Sequence, residues 1–206
     1  MRRAATLPLI LLAIVMAAPA LAQQSEQIGS WRLTCSTDRM TDRTTCLLRL
    51  RDWVEPPGSA MPGLALEVIE RGGRLVPAVT SRDLTLEGAA RGLLALTGMA
   101  QLRFPPHRLF EMPCGLEGWS LICAPRPEDT ARAEQELPQA DRVLVRMLGM
   151  PGSGSPAAEP VEFRLSGTAE ALARYRRAAP PGAAAPEPPG LGGRGLLQRL
   201  LRLLDP

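Results

Sequence analysis

No lysine occurs in this chain of 206 residues, so all 24 basic side chains are arginine. Alongside 21 prolines and 19 glycines, that skew reads as a coding bias rather than a binding chemistry. The arginines are matched by 21 acidic residues, which argues against the concentrated basic surface of a nucleic-acid binder. Aromatic residues make up 3 % of the chain, too few for platforms that stack bases or sugars. A single histidine, His107, leaves one imidazole for any nucleophile–base pair. Apart from a short run near the start, no segment approaches the roughly 20 apolar residues of a membrane-spanning helix.

That early run has the layout of an export signal. Arg2 and Arg3 form a positive start, residues 7–18 are apolar, and Ala20-Leu21-Ala22 is a small-x-small cleavage pattern. Residues 1–22 are therefore expected to be removed after Ala22, giving a periplasmic, secreted or surface-associated chain. Without Arg2 and Arg3, 22 basic residues face 21 acidic ones, and the mature formal charge is +1.

Export places the four cysteines in an oxidising compartment, where a small domain uses them as staples. Four cysteines allow three pairings. The local one, Cys35 with Cys46 and Cys114 with Cys123, is favoured because turn formers lie inside both intervals: Ser36, Asp38 and Asp42 in the first, Gly115 and Gly118 in the second. Two other uses compete. Zinc sites favour tighter C-x2-4-C pairs with nearby histidine, and thiol exchange favours C-x-x-C. Neither spacing is present. The expectation is structural disulfides, with no metal and no cofactor.

Alternation predicts strands over 28–35 and 44–51, with Trp31, Leu33, Cys35, Cys46, Leu48 and Leu50 facing inward. A third strand is expected over 64–70, with Leu64, Leu66 and Val68 opposite Ala65 and Glu67. Gly72-Gly73 marks a hairpin, and 74–80 returns as a strand that Pro77 assigns to an edge. Further strands are expected over 83–87, 93–97, 100–104, 119–123, 142–148 and 161–165. Pro127, Glu128 and Asp129 open a helix over 128–137, and Thr168 caps a last helix to about residue 177. Trp31, Trp53 and Trp119 are expected in the core or against the disulfides. The fold class is mainly β with one or two short helices, an antiparallel sandwich-like domain stapled by disulfides. It occupies residues 23–177, with a Pro/Ala/Gly-rich linker over 178–195.

The chain then closes on a leucine-rich stretch, 196–204, expected to form a short amphipathic helix. Leu196, Leu197, Leu200, Leu201 and Leu204 contribute to its apolar stripe, with Arg199 and Arg202 opposite. A helix this short is marginal alone in water. It is expected to dock on its own domain, to meet a partner or a second copy, or to rest on a membrane surface through arginines and leucines.

Catalytic patterns are thin. Gly190, Gly192 and Gly195 match G-x-G-x-x-G, but no strand precedes them and only eleven residues follow. Gly152-Ser153-Gly154 lacks the spacing of a nucleophile elbow. His107 and Ser120 are the components available to a triad, and Glu67 with Glu70 or Glu134 with Glu136 are carboxylate pairs that the sequence brings into no cleft.

The overall layout resembles the invasion-associated locus B family of exported bacterial proteins. The resemblance rests on Trp31 to Cys35, on Cys46, on Cys114, Gly118 and Cys123, and on Leu165-Ser166-Gly167 leading into an Ala-rich helix around Ala173. It covers about residues 28–177. Ile122 before Cys123 and Thr168 after Gly167 depart from the family pattern. The resemblance implies a small extracytoplasmic β domain with no catalytic residues to carry over. The expected function is therefore a non-enzymatic binder of an envelope or host protein, or of another envelope component. An exported hydrolase or thiol–disulfide enzyme is the alternative.

Overall fold

The computed structural model describes residues 24–58, 63–82, 84, 98–148 and 159–179. Ten strands follow one another: β1 (Gln24–Ile28), β2 (Trp31–Thr37), β3 (Thr44–Glu55), β4 (Leu64–Arg71), β5 (Arg74–Ser81), β6 (Met99–Arg103), β7 (Phe110–Glu117), β8 (Ser120–Cys123), β9 (Arg142–Leu148) and β10 (Val161–Arg164). Two short helices, α1 (Thr130–Glu136) and α2 (Thr168–Ala178), complete the described elements. The sheet order is β1-β2-β3-β4-β5-β8-β7-β6-β9-β10, and each strand pair is antiparallel. The expected mainly-β, sandwich-like class is what forms.

The fold over between the two layers happens within β7. Its first half, Phe110 to Pro113, pairs with β6, and its second half, Cys114 to Glu117, pairs with β8. A strand that changes layer is a recognised way of making a sandwich corner. Pro113, which cannot donate to a ladder, stands at the change. Both layers contribute to one apolar core, with Trp31, Leu48, Leu66, Leu102, Phe104, Phe110 and Val145 among its fully buried side chains.

Periodicity holds where one face meets solvent. Along β2 and β3, Trp31, Leu33, Cys46, Leu48 and Leu50 are buried while Arg32 and Arg51 are exposed. Along β9, Val143, Val145 and Met147 are buried in turn. It fails on β4. Leu64 to Ile69 is buried without interruption, so Ala65 and Glu67 do not face water as expected. A strand covered on both faces loses its polar alternation.

β5 also departs from expectation, because it is interior to the sheet order. Arg71 and Arg74 close a two-residue hairpin, and alternation from that pair makes Val68–Pro77 a non-hydrogen-bonded pair. The missing N–H of Pro77 therefore points away from β4. On that side β8 pairs only with Val79, Thr80 and Ser81, so no ladder bond is required at Pro77.

β1 and β7 are strands that the pattern did not mark. β1 is polar and exposed over its first four residues and is held by its hairpin to β2. The expected strand 93–97 lies outside the described residues, as does 83–87 except for Leu84. The helix expected over 128–137 forms as α1, flanked by 3-10 turns at Pro127–Asp129 and Leu137–Gln139.

The two ends of the described domain interlock. Gly29, at φ +56°, makes the β1–β2 turn so close to Ser166 that a Cβ there would lie 2.2 Å from the Ser166 carbonyl oxygen. The Ser30 N–H donates to that same oxygen at 3.1 Å, and the Ser166 N–H donates to Ser30 Oγ at 3.0 Å. Gly167, with φ +68°, starts α2 in place of the expected Thr168 cap. Thr168 is buried instead and accepts a 3.0 Å hydrogen bond from Trp31 Nε1.

Candidate functional site

Both disulfides join residues that are direct register partners. Cys35 faces Cys46 across β2 and β3, with S–S 2.09 Å, and Cys114 faces Cys123 across β7 and β8, with S–S 2.01 Å. The local pairing follows from strand geometry, since two adjacent hairpin strands bring opposite side chains within about 4.5–5.5 Å. Cys123 is fully buried, and Cys114 and Cys46 are nearly so.

Beside the second disulfide lies an open groove of about 520 Å³. Arg71, Gly72 and Arg74 from the β4–β5 tip form one wall. Cys114, Gly115 and Glu117 of β7 contribute another, and Ala124 to Pro127 run along the rest. A Cβ built on Gly115 meets nothing within 4 Å, so a larger side chain there would enter open space. Ion pairs hold the rim: Arg71 with Glu117, Arg74 with Glu134 at 2.6 Å, and Arg126 with Glu111 at 3.2 Å. The groove thus offers a mixed polar rim over Pro113, Ile122, Ala124 and Pro125. Of the four cysteines, only Cys114 lines it.

The components weighed for catalysis are not assembled around this groove. His107 follows the cis Pro105-Pro106 peptide, and its Nδ1 lies 4.0 Å from Glu136 Oε1. Ser120 stands at the base of the β7–β8 hairpin, opposite Glu117. Glu134 is shared by Arg74 and Arg176, and Glu136 takes Arg132 at 3.2 Å. Glu67 is buried and accepts from Arg82 Nε at 3.0 Å and Nη2 at 2.7 Å. Among the described residues, no group of three or more His, Cys, Asp or Glu is placed to hold a metal ion.

Among the described residues, three ionisable groups depart from their ordinary range. Burial raises the Glu55 carboxyl. Burial also raises the Tyr175 phenol, helped by the Glu70 carboxylate. A hydrogen bond from the Met40 backbone N–H, at 2.7 Å, holds the exposed Asp38 carboxyl below its usual value.

The tryptophans divide by position. Trp31 is wholly buried, Trp53 is half-buried, and Trp119 is 58 % exposed. Trp119 shares the two-residue β7–β8 turn with Gly118 and is exposed there, against the expectation that it would lie in the core or against a disulfide. Arg132 was not marked by any sequence pattern. It bonds the carbonyls of Arg108 and Leu109, pairs with Asp129 and Glu136, and lies 3.6 Å over the Phe110 ring.

The signal expected over 1–22 and, from residue 180 on, the linker expected over 178–195 lie outside the described residues. So does the stripe of Leu196, Leu197, Arg199, Leu200, Leu201, Arg202 and Leu204. Among the described residues, no helix is long and apolar enough to cross a membrane.

No family model and no curated protein matches the chain. Among solved structures it is similar to the crystal structure of invasion associated protein B from Bartonella henselae, at 14 % identity and a TM-score of 0.45. The match covers 73 % of this chain and 93 % of that one.

Proposed function

We propose that this chain is an exported, non-enzymatic protein of the bacterial envelope or surface, a divergent relative of the invasion-associated locus B proteins. In this reading it binds a protein or another envelope component through the groove beside Cys114. The observation that carries the reading is the pair of disulfides, each closing a hairpin between directly opposed residues. Such bridges persist in oxidising compartments and are reduced in the cytosol. The expected signal at residues 1–22 supports the same location. The groove supports binding of a protein surface, because it offers Pro113, Ile122, Ala124 and Pro125 beneath an ion-paired rim.

Fractionation with free thiols blocked tests this. The full chain is expected in the exported fraction, associated with the envelope and carrying both bridges. Gly115→Trp, which adds bulk into open space, should release it from the envelope without unfolding it. A chain shortened after residue 177 tests the leucine stripe as a separate anchor. Cytoplasmic retention with free cysteines would overturn the reading, and envelope association unchanged in Gly115→Trp would remove the groove from it.

A further inference from the structure

Carboxylates hold several of the described arginines: Glu67 holds Arg82, Glu111 holds Arg126, and Glu26 with Glu170 holds Arg174. Arg32 and Arg49 are among those that no carboxylate holds, and they are distinguished by what surrounds them. They are register partners on β2 and β3, and both belong to the face opposite Leu33, Leu48 and Leu50. Among the described residues, neither has a carboxylate within 4.0 Å. The acid in register with Arg49 is Glu67, which takes Arg82. Glu26 on β1 alternates to the other face and takes Arg174.

Two like charges directly opposite one another across a ladder are destabilising. Here the arrangement is braced rather than relaxed, because the Arg49 guanidinium lies 4.2 Å over the Trp53 ring. The two arginines border a hollow of about 390 Å³ with Ser25, Thr34 and Leu47. The Ser25 and Thr34 hydroxyls stand 3.5 Å apart across β1 and β2. Two cations, one of them held over Trp53, and two rotatable hydroxyl groups around one hollow match an anion that carries more than one charge and several acceptor oxygens.

We propose that this hollow is a binding site for a phosphate-type oxyanion. Arg32 and Arg49 neutralise it from adjacent strands, and Ser25 and Thr34 donate hydrogen bonds to it. A bound phosphate turns the Arg32–Arg49 repulsion into a bridge through the anion. The site lies apart from the groove beside Cys114 and stands whether or not that groove binds a partner. The same chemistry is carried by free phosphate and by a phospholipid headgroup.

The test uses the oxidised full chain. Inorganic phosphate is titrated calorimetrically at constant ionic strength against chloride. In parallel, the protein is sedimented with phosphatidylcholine vesicles, with and without phosphatidylglycerol. At least one phosphate probe is expected to bind, with a loss of about ten- to a hundredfold in Arg32→Gln/Arg49→Gln and no loss in Arg142→Gln. Saturation by inorganic phosphate identifies a free ion as sufficient. Binding confined to phosphatidylglycerol vesicles identifies a headgroup. If the double variant is not folded by circular dichroism, Arg32→Gln alone, which leaves the Arg49–Trp53 contact intact, carries the comparison. Failure of the wild type to bind either probe, or equal binding by the variants, overturns the proposal.

Discussion

Removing the Thr168 hydroxyl should loosen the whole closure of the domain. Thr168→Val keeps the branched shape but leaves Trp31 Nε1, on a fully buried side chain, without its 3.0 Å acceptor. An unsatisfied buried donor costs about 1–3 kcal/mol. In a chain of this length, each kcal/mol lowers the melting temperature by about 2–4 °C. Trp31→Phe should cost more, about 2–4 kcal/mol, because it also opens a cavity. The informative variant is the double one. Once the indole N–H is gone, the buried hydroxyl is itself unpaired, so Thr168→Val should then be nearly neutral or favourable. The coupling between the two sites is therefore expected at about 2 kcal/mol. Urea denaturation of the oxidised proteins, followed by far-ultraviolet circular dichroism, measures all four corners of the cycle. Effects that add to within about 0.5 kcal/mol would show that the bond does not tie α2 to β2, and the account of domain closure would be wrong.

Three further outcomes are expected. Replacing Cys35 and Cys46 together by Ala, across a separation of 11 residues, should cost about 2.8 kcal/mol from loop-closure entropy, and the Cys114/Cys123 double variant, with a separation of 9, about 2.7 kcal/mol; chemical denaturation checks both, and equal midpoints for oxidised wild type and variants would refute the staple role. Gly29→Ala should destabilise strongly, since φ is +56° and the new Cβ meets the Ser166 carbonyl; a melting temperature within 1–2 °C of wild type, roughly half a kcal/mol, would contradict that approach. The raised phenol of Tyr175 means that the unfolded chain ionises first as pH climbs, so stability from this group is intact below its ordinary value of 10.0 and lost above it; Tyr175→Phe should flatten stability across that alkaline range, and an unchanged slope would exclude burial of the phenol as the cause.

Local pattern predicts burial where one side chain in two meets water. Leu33, Leu48, Leu50, Val143 and Val145 follow that rule, and Cys35 and Cys46 fall in register as a consequence. The signal weakened where both faces are covered, as with Glu67 on β4, whose burial depends on Arg82 reaching it from the end of the next strand. β7 is not legible in the sequence because Pro113 and Gly115 interrupt its pattern, and both are tolerated where the strand changes partner between them. The Cys35–Cys46 pairing implies the antiparallel register that sets Arg32 opposite Arg49, but no spacing in the sequence indicates that Glu67 would turn to Arg82.

The sequence by itself determined the β class, the hairpin at Gly72-Gly73, the local disulfide pairing and the last helix. Each depends on interactions within about a dozen residues, where period and turn chemistry act directly. The tertiary structure alone decided the order β5-β8-β7-β6, the layer change within β7 and the meeting of Trp31 with Thr168 across 137 positions. It also decided the groove beside Cys114 and the hollow between Arg32 and Arg49. Those features arise from how a twisted sheet folds over one shared core, which depends on all of its long-range contacts together and on no single stretch of residues.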